Sequence, residues 1–288
     1  MPTQTTFAAH FTPTCSRSRS PRLGALALAV LLLSAAAPAS AQFEQALERL
    51  EASPRHHEWA TIETATRPID AFVVYPESST KSTVVVVIHE NRGLNDWVRG
   101  VADRLAEEGY IAVAPDMLTG RGPDGGRTRD FASSNDARDA LYEIERDQVQ
   151  AELAEIVEWT GTIEAGNGTI AVGGFCWGGR NTFHLATNTQ TPSAFFVFYG
   201  SGPEAEASAA IAAPIYGFYG ENDARVNATI EGSKEIMAKL GKTYDPVIYD
   251  GAGHGFMRAA ESTDANTATR AAADAAWTRW LGLLADLE

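Results

Sequence analysis

The apolar residues of the chain fall into short runs that alternate with longer segments of helical periodicity. Residues 83–88 read Thr-Val-Val-Val-Val-Ile, a β-branched run typical of a strand buried on both faces. In residues 97–108, Val98, Val101 and Leu105 are spaced to share one face of a helix. Strand and helix patterns alternate from the first of these runs onward, which predicts a mostly parallel sheet with helices on both faces.

Further runs extend this arrangement. Residues 59–64 and 69–75 predict an antiparallel pair of strands at the edge of the sheet. Residues 136–159 predict one long helix, and the aperiodic residues 118–135 predict a long surface loop that faces the substrate. The other predictions are strands at residues 110–115, 170–172, 193–199, 213–219 and 244–249, and helices at residues 42–55, 228–240 and 267–287.

One turn in this pattern carries reactive chemistry. Between a strand and a helix the chain reads G-F-C-W-G-G, with Cys176 flanked by Gly174 and Gly178. This is a nucleophile elbow with cysteine in the place of serine. A Cβ at either glycine would strike the neighbouring strand or helix, and the helix N-terminus favours a thiolate and later an oxyanion. The simpler alternative is a small buried cysteine in a glycine-rich turn.

A thiol nucleophile needs a base, and the base needs an acid to orient it. His254 lies in a glycine-rich loop after the last predicted strand, and Asp223 follows the strand before it. Glu90 is the second residue after the run at 83–88. Since the carboxyl ends of parallel strands share one edge, we expect Cys176, Asp223, His254 and Glu90 to converge there. The order nucleophile, acid, histidine is the one used by the α/β-hydrolase fold.

The other histidines of residues 42–288 are not assigned to catalysis: His56 and His57 are expected at the surface, His184 packed or at the surface, and His89 in a structural role. His56 and His57 precede the predicted sheet, and His184 points away from the elbow. His89 stands beside the loop expected to supply an oxyanion donor. For Asp223, a turn-forming role remains the alternative.

Five motifs together resemble the dienelactone hydrolase (carboxymethylenebutenolidase) family: G-F-C-W-G-G, H-E-N-R-G-L-N, Y-I-A-V-A-P-D, G-E-N-D and G-A-G-H-G-F. The similarity covers roughly residues 60–285. It implies an α/β-hydrolase with a Cys176, Asp223, His254 triad, in which Glu90 contacts the resting thiol and helps to activate it. It also implies hydrolysis of the enol-lactone ester of dienelactone without a metal or cofactor.

The resemblance further implies two arginines that hold a substrate carboxylate. Arg258 occupies the first position, four residues after the catalytic histidine. The second should precede the nucleophile, where spacing leaves Arg127, Arg129 and Arg138 open, and we carry Arg138 forward.

The expected reaction is acyl transfer to Cys176. The backbone N–H groups of Trp177 and Asn91 would bind the oxyanion, and His254 would then activate water. We expect Glu90 to keep the resting thiol neutral until the substrate draws Arg258 away. A glutamate that pairs with an arginine only to hold the loop is the alternative. Other functions left open are a general carboxylesterase or thioesterase, a thiol redox protein, and a non-catalytic ligand-binding protein.

The first 41 residues predict a secretory signal peptide. Arg17, Arg19 and Arg22 precede an apolar run at residues 23–37, and a small-residue cleavage site follows. A membrane anchor is the alternative, but a span needs roughly 20 apolar residues. We therefore expect residues 42–288 to form one domain without a membrane span, in the periplasm or the medium.

The net charge of −14 becomes three units more negative without those arginines, which disfavours nucleic acids and anionic membranes as partners. We expect a monomer that acts on a small ester or lactone. Of the two cysteines, only Cys176 remains after cleavage, so no internal disulfide can form.

Export gives a direct test. N-terminal sequencing of the protein from the periplasm or medium should begin at Gln42. A cytoplasmic protein that retains Met1 would contradict the signal-peptide prediction.

Overall fold

The computed structural model describes residues 40–288, so residues 1–39 of the predicted signal peptide lie outside the described range. The strands are β1 (His56–Glu63), β2 (Pro68–Tyr75), β3 (Ser82–Ile88), β4 (Ile111–Pro115), β5 (Gly166–Phe175), β6 (Ala194–Phe198), β7 (Ile215–Gly220) and β8 (Tyr244–Tyr249). The helices are α1 (Ser40–Ala52), α2 (Asp96–Glu107), α3 (Ser134–Tyr142), α4 (Arg146–Thr160), α5 (Trp177–Leu185), α6 (Ala224–Asn227), α7 (Ile230–Lys239), α8 (Phe256–Ala259) and α9 (Thr267–Ala285).

All eight strands form one sheet in the order β1-β2-β4-β3-β5-β6-β7-β8. The β1–β2 and β2–β4 pairs are antiparallel, and every other neighbouring pair is parallel. The predictions of a mostly parallel sheet and of an antiparallel edge pair are both confirmed. Within residues 40–288, no helix is both long and apolar enough to cross a membrane.

The sheet is covered by helices on both faces, because its strands alternate between two apolar sets. Val85 and Val87 of β3 join the core beneath α2 and α9. Val84 and Val86 belong to the opposite core, beneath α4 and α5. A β-branched run without polar interruption supplies apolar side chains to the cores on both faces of the sheet. This is why the sequence pattern predicted the strand correctly.

The carboxyl edge of the sheet carries the turns of interest. β3 ends before His89, β5 before Cys176, β7 before Asp223, and β8 shortly before His254. Each side chain expected at this edge therefore leaves the end of its own parallel strand, as ligand-binding residues in open α/β sheets do.

A buried ion pair fixes the chain where it leaves β4. The carboxylate of Glu152 is fully buried, and Arg67 contacts it at 2.9 Å while also donating to the carbonyl oxygens of Met117 and Thr119. Burial alone would raise the pKa of Glu152, but hydrogen bonds from Arg67 and Thr66 outweigh it and lower this pKa. The ion pair thus holds the start of the long loop against α4.

The prediction of one helix over residues 136–159 is wrong. The chain forms α3 and α4, and residues 143–145 separate them. The Ser133 side chain accepts a hydrogen bond from the Asp136 backbone and starts α3, while Glu145 takes a non-helical conformation before α4. Leu141 and Ile144 are buried in the same core, so the apolar spacing continues across the break and conceals it.

Candidate active site

The backbone at Cys176 is strained in the way that a nucleophile elbow requires. Its φ is +56° and its ψ −108°, a conformation that residues other than glycine rarely adopt. The Cys176 N–H donates to the Phe198 carbonyl at 3.0 Å, and the Arg180 N–H donates to the Cys176 carbonyl at 3.0 Å. These two bonds hold the turn between β5 and α5 and present the thiol at the sheet edge.

The positions that flank Cys176 must be glycine because neighbouring atoms leave no space for a Cβ. A Cβ at Gly174 would collide with the Thr182 side chain and the Gly178 backbone. A Cβ at Gly178 would collide with the carbonyl oxygens of Ile88 and His89. The steric prediction for both glycines is confirmed.

His254 is held by an acidic partner. Its Nδ1 lies 2.5 Å from an Asp223 carboxylate oxygen, and Asp223 is buried. The other Asp223 oxygen accepts from the Val226 backbone at 3.4 Å and caps α6. The Asp223 carboxylate therefore caps α6 with one oxygen and contacts the His254 ring with the other. The phenol ring of Tyr199 packs edge-on against the imidazole, with ring centroids 5.1 Å apart.

Glu90 is buried and makes its ion pair with Arg258. Arg258 Nε lies 2.7 Å from Glu90 Oε2, and the Tyr199 hydroxyl donates to Oε1 at 3.4 Å. The Glu90 charge raises the pKa of Arg258. Arg92 instead donates to Ser134, so it is not the arginine that pairs with Glu90.

The thiol of Cys176 is held in its neutral form. Burial raises its pKa to about 11, and the Glu90 carboxylate acts in the same direction. The backbone N–H groups of Trp177 and Asn91 face the sulfur and lower the pKa, as does the charge of Arg225, but burial outweighs them. At pH 7 a pKa near 11 leaves about one thiolate in ten thousand molecules.

His89 fixes the loop that follows β3. Its ring is fully buried, and its Nε2 accepts from the Met117 N–H at 3.3 Å. Nδ1 therefore carries the proton and donates to the Glu90 carbonyl at 2.7 Å. Burial lowers the pKa of His89, and the neutral ring stacks on Trp177 with centroids 5.3 Å apart. His89 thus holds the segment that aims the Asn91 amide at the sulfur.

The other candidate arginines form contacts elsewhere. Arg138 binds its neighbour Asp139 at 2.7 Å, and its substrate-binding role stays a prediction. Arg127 stacks over Trp59 with its guanidinium carbon 4.0 Å from the ring centre. Arg129 is largely exposed and lies 3.9 Å from Asp130.

Tyr199 belongs to the site, although sequence reasoning missed it. It follows β6 with a φ of +42° and is fully buried. Burial and the nearby Glu90 charge raise its pKa well above the ordinary value, so its hydroxyl remains a donor. The predicted strand at residues 193–199 included Tyr199, whereas β6 ends at Phe198. With that strand end, the rule that selected Glu90, a polar group just after a parallel strand, would also select Tyr199.

The chemistry available here is that of a thiol and an oriented imidazole at the same edge of the sheet. Within residues 40–288, Cys176 is the only free cysteine. No group of three or more His, Cys, Asp or Glu side chains in this range is arranged to hold a metal ion.

Comparison with known proteins decides the family. The profile of the dienelactone hydrolase family matches residues 69–287. The chain belongs to the dienelactone hydrolase family. It is therefore a hydrolase, as the resemblance of its five motifs implied.

Individual relatives agree with this assignment. A Yersinia pestis protein provisionally named carboxymethylenebutenolidase is 26% identical over 76% of this chain and 85% of its own length. A Methylorubrum extorquens protein with the same provisional name is 30% identical over 65% of this chain and 68% of its own. A solved structure provisionally titled dienelactone hydrolase, from Klebsiella pneumoniae, aligns with 80% of this chain and 98% of its own at a TM-score of 0.69. Its 24% identity supports the α/β-hydrolase fold alone.

The charge of Glu90 gives a prediction for thiol reactivity. Glu90→Gln should lower the pKa of Cys176, so iodoacetamide should alkylate it several-fold faster at pH 7. In the unaltered protein the rate should keep rising to about pH 11. Mass spectrometry of the peptide that carries Cys176 measures both rates.

Glu235→Gln, which removes an exposed charge on α7, is the matched control and should leave the rate unchanged. Equal alkylation rates in Glu90→Gln and the control would show that the Glu90 charge does not govern the thiol.

Proposed function

We propose that this protein hydrolyses a carboxylic ester or an enol lactone such as dienelactone, through an acyl-cysteine at Cys176. The observation that carries the proposal is the 2.5 Å contact of His254 with Asp223 at the same sheet edge as the strained Cys176. The backbone amides of Trp177 and Asn91 face the sulfur and are the proposed oxyanion donors. Nucleophile, base, orienting acid and oxyanion donors thus occupy one edge.

The first half of the reaction transfers the acyl group to sulfur. The Cys176 thiolate attacks the carbonyl carbon, a C–S bond forms, and the carbonyl oxygen becomes an oxyanion. The N–H groups of Trp177 and Asn91 bind this oxyanion, and one such donor is worth about 3 kcal/mol of the barrier. The C–O bond then breaks, and the enolate of an enol lactone leaves without strong assistance from an acid.

The second half of the reaction hydrolyses the acyl-cysteine and restores the free thiol of Cys176. His254 removes a proton from water, and the hydroxide attacks the thioester carbonyl. Asp223 keeps Nδ1 of the imidazole protonated and stabilises the imidazolium that forms. The C–S bond breaks, the carboxylic acid leaves, and the thiolate takes up the proton held by His254. The proton that Glu90 accepts from the thiol during activation passes to the enolate, so Glu90 returns to its carboxylate form.

Activation of the thiol is the step assigned to Glu90. In the resting arrangement Glu90 is bound to Arg258, and the Cys176 thiol is neutral. A substrate carboxylate that binds Arg258 would weaken this ion pair and free Glu90 to accept the thiol proton. The thiolate would then form only when substrate is present, which protects the sulfur from oxidation between turnovers.

The substrate class follows from the same arginine. Arg258 is partly exposed and is the cation that Glu90 must share with an incoming carboxylate. The negative net charge of the protein opposes an anionic substrate, but salt screens that field over about 8 Å. A local guanidinium therefore dominates at the site, and acidic esters or lactones are the favoured substrates.

We also propose export to the periplasm or the medium. Support comes from the sequence of residues 1–41, with its three arginines, apolar run and small-residue cleavage site. A thiol that stays neutral at rest suits an oxidising compartment.

The triad assignment predicts a specific pattern of kinetics with an aryl ester. Cys176→Ala should abolish turnover. Asp223→Asn should lower kcat by up to about 10⁴-fold, because the amide favours the wrong imidazole tautomer. Asp286→Asn, at an exposed position directly after α9, is the matched control and should keep kcat within about twofold.

Release of 4-nitrophenolate measures all three variants. Near-normal kcat in Asp223→Asn would contradict the orienting role, and activity in Cys176→Ala would contradict the nucleophile.

A further inference from the structure

Three arginines near the candidate active site have no visible partner. Most arginines within residues 40–288 bind a carboxylate, as Arg55 and Arg67 do. Arg146, Arg180 and Arg225 are exposed and form neither an ion pair nor a side-chain hydrogen bond with any residue of this range. In a chain with 37 acidic residues against 23 basic ones, carboxylate partners are not scarce, so this lack of pairing needs an explanation.

The backbone brings these three positions to the nucleophile. Arg180 is the fourth residue after Cys176, and its N–H is bonded to the Cys176 carbonyl. Arg225 follows Asp223, the partner of His254, by two residues. Arg146 is the first residue of α4.

Two side-chain contacts tie the start of α4 to the same edge. One turn beyond Arg146, Gln150 Nε2 donates to Asn181 Oδ1 of α5 at 2.9 Å. On the other side of Arg146 in the chain, the side-chain amide of Asn91, in the oxyanion loop, donates to the Tyr142 hydroxyl at 3.5 Å. Arg146 therefore belongs to a segment, residues 142–150, that contacts both the oxyanion loop and α5.

The electrostatic effects on Arg180 agree with this placement. Partial burial has the largest effect and lowers the pKa of Arg180, and Arg146 lowers it next; Tyr142 and Glu204 act in the opposite direction, and Arg225 lowers it by the smallest amount. Arg225 also acts on the Cys176 thiol. The charges of Arg146 and Arg225 thus disfavour the charged form of Arg180, and Glu204, which acts against them, forms no ion pair with any of the three arginines in the described part of the chain.

The same placement opposes the helix dipoles. The N-terminus of a helix carries partial positive charge and favours acidic residues. Arg146 opens α4, and Arg180 lies in the first turn of α5. Cations at these positions add to the local positive potential, which an anionic ligand would satisfy.

We propose that Arg146, Arg180 and Arg225 form a second anion-binding site at the mouth of the active site, which receives a carboxylate of the substrate. The inference rests on the proposed function and narrows it to acyl compounds with two acidic groups. Arg258 would bind the first carboxylate. The arginine trio would bind the second, because guanidinium groups bind a carboxylate through paired N–H donors.

Binding to a variant without the nucleophile tests this site separately from catalysis. Glutarate and butyrate have similar length and differ by one carboxylate, and each is titrated calorimetrically into Cys176→Ala. Glutarate should bind at least about tenfold more tightly. Adding Arg180→Gln should remove this preference and leave butyrate binding nearly unchanged, whereas adding Arg258→Gln should weaken both acids.

Arg49→Gln is the matched control for loss of one exposed guanidinium, because Arg49 pairs with Glu261 on a different part of the surface. It should not change the preference for glutarate. Failure of glutarate to bind more tightly than butyrate, or a preference that survives in Arg146→Gln, Arg180→Gln and Arg225→Gln alike, would overturn the proposal.

Turnover separates the new site from the proposed function. The substrates are 4-nitrophenyl monoesters of tricarballylic acid and of glutaric acid, with two and one free carboxylates. Arg180→Gln should lower the ratio of their kcat/KM values at least about tenfold. Hydrolysis through Cys176 with an unchanged ratio would contradict the site but not the function. Arginine-dependent glutarate binding without hydrolysis of any ester would contradict the function but not the site.

Discussion

The carboxylate of Glu90 is buried, and a buried carboxylate must be paired because an isolated one is too costly to desolvate. Arg258 supplies that pair at 2.7 Å, and Tyr199 adds a hydrogen bond to the other oxygen. Much of the site depends on this arrangement. The charge that Arg258 satisfies also raises the pKa of the Cys176 thiol, so in the proposed mechanism the ion pair links substrate binding to the protonation of the nucleophile.

The ion pair has this effect because the sulfur itself is held in a fixed place. Cys176 adopts a positive φ between Gly174 and Gly178, which the surrounding backbone crowds on both sides. The adjoining strands β3 and β6 supply the walls and also carry Glu90 and Tyr199 at their ends. Parallel pairing of β5 with β3 and β6 thus maintains the strained backbone of the elbow. The same pairing places Glu90 and Tyr199 near the elbow.

Sequence patterns predicted the parts of this site that follow from local order. The β-branched run of β3 and the glycines of the elbow are short-range signals, and the strand-end rule brought Cys176, Asp223 and His254 to one edge. The break between α3 and α4 was not visible, because buried Ile144 continues the apolar spacing across it.

The ion-pair partner of a charged side chain was harder to predict from the sequence than the end of the sheet at which that side chain lies. Glu90 and Arg258 are 168 residues apart in the chain, and Arg67 and Glu152 are 85 apart. Such pairs are set by tertiary geometry. Arg138 illustrates the limit, because spacing left it open together with Arg127 and Arg129, and only the tertiary structure shows that its guanidinium binds the adjacent Asp139.

Trapping of the covalent intermediate tests the central claim most directly. His254→Asn should slow water attack on the thioester more than acylation, so an aryl ester mixed with this variant should leave its acyl group on the protein. We predict a mass increase equal to one acyl group, located on the peptide that carries Cys176 and absent in the double variant with Cys176→Ala. Turnover by the unaltered enzyme without any acylation of Cys176 in the trapped variant, or an acyl group on another residue, would contradict it.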